Sequence, residues 1–146
     1  MTRLFLDTNI VIDLLEKREP YCRDAVCLFS MAYNKQVDLF VSPMTFATAS
    51  YLLGKHDTVG VRSLLSDLRC LTQVTTANEC TVDDAIASQF EDFEDALQYH
   101  SALQGDLEAI ITRNGKDFNS SKLPVMTAGE YLAMMNPTNE SLPYSP

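Results

Sequence analysis

Short apolar runs and helically spaced apolar positions alternate along the whole chain. Residues Arg3 to Leu6 lead into Asp7-Thr8-Asn9, and Ile10 to Leu15 then repeat at helical spacing. This predicts a buried strand whose carboxyl end passes directly into a helix. Pro20 fits a helix's first turn, and Ala25, Val26, Leu28, Phe29 and Ala32 continue that helix. Val37 to Val41 reads as a second strand. Ser42 as cap and Pro43 in the first turn then open a helix through Ala49, Tyr51 and Leu52, which Gly54 stops. A helix over Val59 to Leu68 and a third strand over Leu71 to Thr75 follow. Two acid-rich helices are expected next, Glu79 to Phe90 and one opened by Asp92 and closed by Gly105. Ala109 to Thr112 is the clearest buried strand. Val125-Met126 is a short last strand, and Thr127 to Glu130 has capping-box spacing for a helix to Met135.

Strands alternating with helices imply a parallel sheet covered by helices on both faces. The expected organisation is one domain over residues 1–135 and a loose tail over 136–146, where prolines are frequent and core residues few. No internal repeat or linker is visible before the tail.

Composition sharpens this in two ways. The 20 acidic residues exceed the 11 basic ones, for a net charge of −9. Between Cys70 and Thr112 there is no Lys or Arg, and the nine acids of that stretch equal the net charge. This argues against a protein that grips nucleic acid through a general basic surface, because phosphate neutralisation needs Lys and Arg. Carboxylates that hold a cation, with the cation meeting the phosphate, remain open. Four cysteines without a CxxC pair and two histidines argue against a disulfide scaffold or a zinc site. Reduced, mostly buried thiols are expected. No apolar run approaches the roughly 20 residues a membrane span needs. The N-terminus, interrupted by Asp7, does not read as a signal peptide. A cytoplasmic protein is the expectation.

In parallel α/β sheets, sites form at the carboxyl ends of strands. That rule selects Asp7 after the first strand, and Asn114 and Asp117 after the strand ending at Thr112. Asp95, near the start of its helix, can reach the same crevice. Carboxylates converging there repel one another unless a cation lies between them, and such oxygen ligands suit Mg²⁺ or Mn²⁺. A metal so held suits phosphodiester hydrolysis, because it polarises the phosphoryl oxygen and acidifies a bound water.

The segments LFLDTNIVIDLL, DFEDALQYHSAL and AIITRNGKDF resemble, in order, the motifs of PIN-domain proteins, in particular the ribonuclease toxins of VapC-like toxin–antitoxin pairs. The similarity runs from residue 4 to about residue 134. It implies a three-layer α/β/α fold with a central parallel sheet of about four to five strands. It also implies Mg²⁺- or Mn²⁺-dependent RNA cleavage, a homodimer and an antitoxin protein as partner. By motif position, Asp7 matches the first-strand acid and Asp95 the acid of the helix after DFE. Asn114 stands where many members have a fourth acid, with Asp117 the acid retained nearby. Thr8, Asn9 and Thr112 would position the loops. Arg113, Lys116 and Lys122 are candidates for RNA phosphates near the mouth of the site. One departure matters: where the family usually has a Glu on the helix after the second strand, SPMTFATASYLL has Thr48. That opens the alternative of a PIN-like domain with weakened or lost catalysis, acting as an RNA- or protein-binding module.

Each residue also has a plainer reading. Asp7 suits a helix cap, and Asp92, three residues before Asp95, reads as the cap of its helix with a reserve role in the site. Asn114-Gly115 is a turn pair. Asp13 and Glu94 read as exposed helical acids, and Asp83 and Asp84 as a solvated face. His100 is an outside candidate for acid–base work against a partly buried histidine. Arg113 reads equally as a surface ion pair. Receiver and haloacid-dehalogenase-type sites fit poorly: the former needs paired acids at the first strand end, the latter an Asp where Asn9 stands.

Overall fold

The computed structural model describes residues 1–55 and 57–136. The elements run β1 (Thr2–Leu6), α1 (Thr8–Leu15), α2 (Cys22–Tyr33), β2 (Val37–Val41), α3 (Pro43–Leu53), α4 (Thr58–Leu71), β3 (Gln73–Val74), α5 (Glu79–Ala87), α6 (Phe93–Gln104) and β4 (Ala109–Ile111). A 3-10 turn (Gly115–Phe118), β5 (Val125–Met126) and α7 (Ala128–Met135) complete the described chain. All five strands are parallel, in the order β3-β2-β1-β4-β5.

Alternation along the strands splits the core into two layers. Leu4, Leu6, Leu39 and Ile111 face one side, where α1, α2, α4 and α7 supply Val11, Leu28, Leu68 and Tyr131. Phe5, Phe40 and Ile110 face the other, against Tyr99 and Ala102 of α6 and Phe118 of the 3-10 turn. Burial on both sheet faces explains why β1 and β4 read as apolar runs rather than alternating ones. Each fully buried Phe or Ile contributes about 2 kcal/mol. The fold is the three-layer α/β/α arrangement implied by the sequence.

Most element limits fall where the pattern puts them, with local corrections. The third strand is only Gln73–Val74, because α4 continues through Leu71 and Thr72 bonds back to the Leu68 carbonyl at 2.9 Å. Helix α5 ends at Ala87 rather than Phe90, since Ser88 turns out of the helix and its hydroxyl donates to the Ala85 carbonyl at 2.8 Å. Pro20 precedes α2, which begins at Cys22. Of the cysteines only Cys22 is buried, while Cys27, Cys70 and Cys80 are exposed, because their helix positions face away from the core. The tail expected over 136–146 lies, apart from Asn136, outside the described residues. No helix among the described residues is long and apolar enough to cross a membrane.

The strand order reverses between β1 and β4. Register pairs Leu6 with Ile111, so Asp7 and Thr112 leave the sheet side by side at its carboxyl edge. Ligands of open α/β sheets bind at such a switch point.

Candidate active site

Asp7 is only 7% exposed, and its surroundings fix both carboxylate oxygens. Its backbone N–H donates to the Ile111 carbonyl at 2.9 Å, extending the β1–β4 ladder by one bond. Oδ1 accepts the Thr8 N–H at 2.8 Å, so Asp7 also caps α1. Oδ2 accepts the Thr112 hydroxyl at 2.7 Å and the Asn9 amide at 3.2 Å. Asn9 then accepts the Arg113 N–H at 3.4 Å, and the Thr112 Oγ1 accepts the Asn114 N–H at 3.0 Å. Thr8, Asn9 and Thr112 thus lock the β1 and β4 ends together around one carboxylate. Burial pushes the Asp7 carboxyl above its ordinary range; the bonds from Thr112, the Thr8 N–H and Gln98 oppose this, and the Asp117 charge adds to it.

Asp95 is the third residue of α6, and Asp92 is that helix's cap, accepting the Asp95 N–H at 3.0 Å. A cleft of about 250 Å³ at the switch point is lined by Asp7, Thr48, Glu94, Asp95 and Asn114, among others. A second cleft of about 310 Å³ is lined by Asp92, Asp95, Lys116 and Asp117. Asp95 belongs to both, so it borders the Asp7 cleft and the Asp117 cleft alike. Partial burial first, then the charges of Asp7, Asp92, Asp117 and Glu94, push its carboxyl up to about 7.

The structure therefore brings Asp7, Asp95 and Asn114 into one cleft and sets Asp117 and Lys116 in the adjoining one. Thr48, on α3, faces the first cleft. His100 lines neither cleft; it lies against Phe90 and Tyr99, with its Nε2 buried and without a partner among the described residues. Lys122 donates its backbone N–H to the Tyr99 hydroxyl at 2.8 Å and lines neither cleft.

Three sequence readings need correction or extension. Asp13, expected as an exposed acid, is 1% exposed and binds Arg113 through Nε at 2.7 Å and Nη2 at 3.1 Å. The α1 face that carries Ile10 and Val11 into the core carries Asp13 in with them. Arg113 is correspondingly not a free surface cation: its guanidinium also lies 4.0 Å from the Tyr21 ring centroid. The Asp13 hydrogen bonds hold its pKa further above the ordinary value. Glu94 is exposed as expected but lines the Asp7 cleft.

Gln98 and Thr45 were not legible as site residues. Gln98, 1% exposed, donates to Thr8 Oγ1 at 2.9 Å and accepts from the Ser42 hydroxyl. Thr8 Oγ1 also pairs with Thr45 Oγ1 at 2.9 Å. Ser42, the expected cap of α3, thus turns its hydroxyl into this network rather than onto its own helix. The available indication for Gln98 was its spacing: it lies one helical turn after Asp95, on the same face.

The donor set decides which ion this site can take. Oxygen ligands without sulfur or imidazole suit a hard divalent cation. Among the described residues, no three Asp, Glu, His or Cys side chains converge closely enough to cage an ion. Mg²⁺ is usually held by one or two carboxylates and keeps several waters, so it does not require a three-acid cage. Asp7 and Asp95 line one cleft, and among the described residues no lysine or arginine bonds to either of them.

Residues 3–116 match the PIN-domain family. The chain belongs to that family. Ribonuclease VapC1 of Aquifex aeolicus (strain VF5) is 25% identical over 139 residues, covering 92% of this chain and 96% of the relative. Among solved structures, a toxin–antitoxin complex from Klebsiella pneumoniae is similar with a TM-score of 0.63 at 26% identity, over 86% of this chain and 97% of that one. VapBC-1 from nontypeable Haemophilus influenzae shares the fold with a TM-score of 0.64 at 19% identity, over 88% and 99% of the two chains.

Proposed function

We propose that this PIN domain is a metal-dependent endoribonuclease of the toxin type, hydrolysing RNA phosphodiester bonds with Mg²⁺ or Mn²⁺. The observation that carries the proposal is the placement of Asp7 and Asp95 on one cleft at the sheet's switch point, with Asp117 in the adjoining cleft that Asp95 also lines. A relative of nearly equal length named a ribonuclease supports it. When bound, the metal supplies Lewis-acid polarisation of the phosphate and acidifies an attacking water. Asp7 and Asp95 would hold it, with Asn114 of the same cleft as a neutral oxygen donor and Asp117 of the adjoining cleft as a further carboxylate. Thr112, Thr8 and Asn9 hold the Asp7 carboxylate in place, and Gln98 fixes α6 against α1. A homodimer, a cytoplasmic location and an antitoxin partner are part of this reading, and the partner is supported by the toxin–antitoxin complex with which the fold is shared.

A second reading, a binding module with weakened catalysis, is favoured by one observation: Thr48 faces the cleft without the carboxylate the family usually has there. The two separate on incubation of the purified chain with structured and unstructured RNAs in Mn²⁺, Mg²⁺ or EDTA. Cleavage that depends on the metal supports the ribonuclease. Binding without cleavage, by a folded chain and in both metals, supports the module.

A further inference from the structure

RNA brings one negative charge per phosphate into a cleft already lined by Asp7, Glu94 and Asp95. A divalent cation offsets part of that charge, but single strands are held along their backbone by protein cations. Arg113 is committed to Asp13 and Tyr21. Lys116 lies in the neighbouring cleft. Among the described residues, the one Lys or Arg that lines both the Asp7 and Asp95 side of the site is Arg18.

Local structure puts it there. Helix α1 ends at Leu15, Lys17 takes a left-handed φ of 54°, and the Arg18 N–H donates to the Asp13 carbonyl at 3.0 Å. The Cys22 N–H donates to the Arg18 carbonyl at 2.7 Å, so this backbone is tied to both α1 and α2. Nε and Nη2 of Arg18 meet Glu16 Oε1 at 2.9 and 2.7 Å, while Nη1 has no partner among the described residues. The pair is partly exposed, and such pairs contribute little to stability. With Nε and Nη2 turned to Glu16, Nη1 is the donor left to meet an anion.

We propose that Arg18, oriented by Glu16, binds a backbone phosphodiester of the RNA beside the Asp7–Asp95 pair. The proposal rests on the ribonuclease reading and names the protein group that receives its substrate's charge. Binding of a labelled single-stranded RNA, followed by anisotropy over a range of KCl in an Asp7→Asn background, tests it. Adding Arg18→Ala should weaken binding roughly tenfold, the effect of losing one charge-assisted contact. The slope of log affinity against log salt should fall by about 0.7, one phosphate's worth on a single strand. Arg18→Lys should recover the slope but not the full affinity. In the active chain, Arg18→Ala should raise KM more than it lowers kcat. Arg62→Ala, on the exposed face of α4, is the charge-matched control. If Arg18→Ala matches that control in affinity and slope while the unaltered chain cleaves RNA, the Arg18 proposal is overturned and the ribonuclease reading stands. If the unaltered chain neither binds nor cleaves RNA, both are overturned.

Discussion

At the scale of single residues, Asp7 carries two roles that usually belong to different side chains. It caps α1 through the Thr8 N–H and presents the same carboxylate to the cleft. Thr112 sustains the second role with a 2.7 Å bond from a side chain with no solvent exposure. Thr112→Val removes that bond at nearly constant volume, and a lost bond to a charged group costs about 1.5–3 kcal/mol. Urea unfolding should show that loss, and calorimetry a weaker Mn²⁺ affinity. Asp95 gives a pH prediction. Its carboxyl is raised from 3.8 to about 7, by partial burial and then by Asp7 and its other acidic neighbours. The folded metal-free chain therefore keeps a proton that the unfolded chain releases. That contribution to stability is complete below 3.8 and is lost as pH rises through about 7. Thermal melts of metal-free protein should show Tm falling across that window, and Asp95→Asn should flatten the fall. Because the metal displaces that proton, Mn²⁺ affinity should rise with pH through the same window.

At the scale of elements, the Asp13–Arg113 pair clamps α1 to the turn after β4, the two segments that carry Asp7 and Asn114. Asp13 is fully buried whereas Arg113 is partly exposed. The two truncations should therefore differ. Arg113→Ala strands a buried carboxylate and should cost about 3 kcal/mol or more. Asp13→Ala leaves a guanidinium that can still reach water and should cost less, which paired chemical-denaturation curves can measure. The sequence showed the elements themselves well, because apolar spacing alone distinguishes β1 and β4 from α2 and α6. Asp7, Asp92 and Asp95 were legible because each sits at a strand end or helix start, where a polar side chain has a local reason to be. Asp13, Gln98 and Ser42 were not. Each owes its burial to a partner far along the chain, Arg113 for Asp13 and Gln98 for Ser42, and periodicity carries no information about such pairings.

At the scale of the whole molecule, the charge distribution takes on a definite meaning. The nine acids between Cys70 and Thr112 equal the net charge, yet the cleft draws on only Glu94 and Asp95 from that stretch and takes Asp7 from β1's end. The sheet order β3-β2-β1-β4-β5 makes this assembly possible, since it sets the ends of β1 and β4 together and leaves α6 to close the crevice. Thr48 faces the crevice from α3, where Thr48→Glu would add a carboxylate. That substitution should raise Mn²⁺ affinity roughly tenfold, as ligand charge count tunes cation sites, while lowering the Tm of the metal-free chain through added repulsion. Unchanged affinity would mean that position 48 does not reach the ion. The proposed activity requires Asp7 and Asp95 to act on RNA through a divalent cation. Its most direct test is a side-by-side time course of RNA cleavage in Mn²⁺ by the unaltered chain, Asp7→Asn and Asp95→Asn, each verified as folded. Cleavage by the unaltered chain that EDTA stops and either substitution abolishes is the predicted result. Cleavage that persists in Asp7→Asn, or in EDTA, would contradict it.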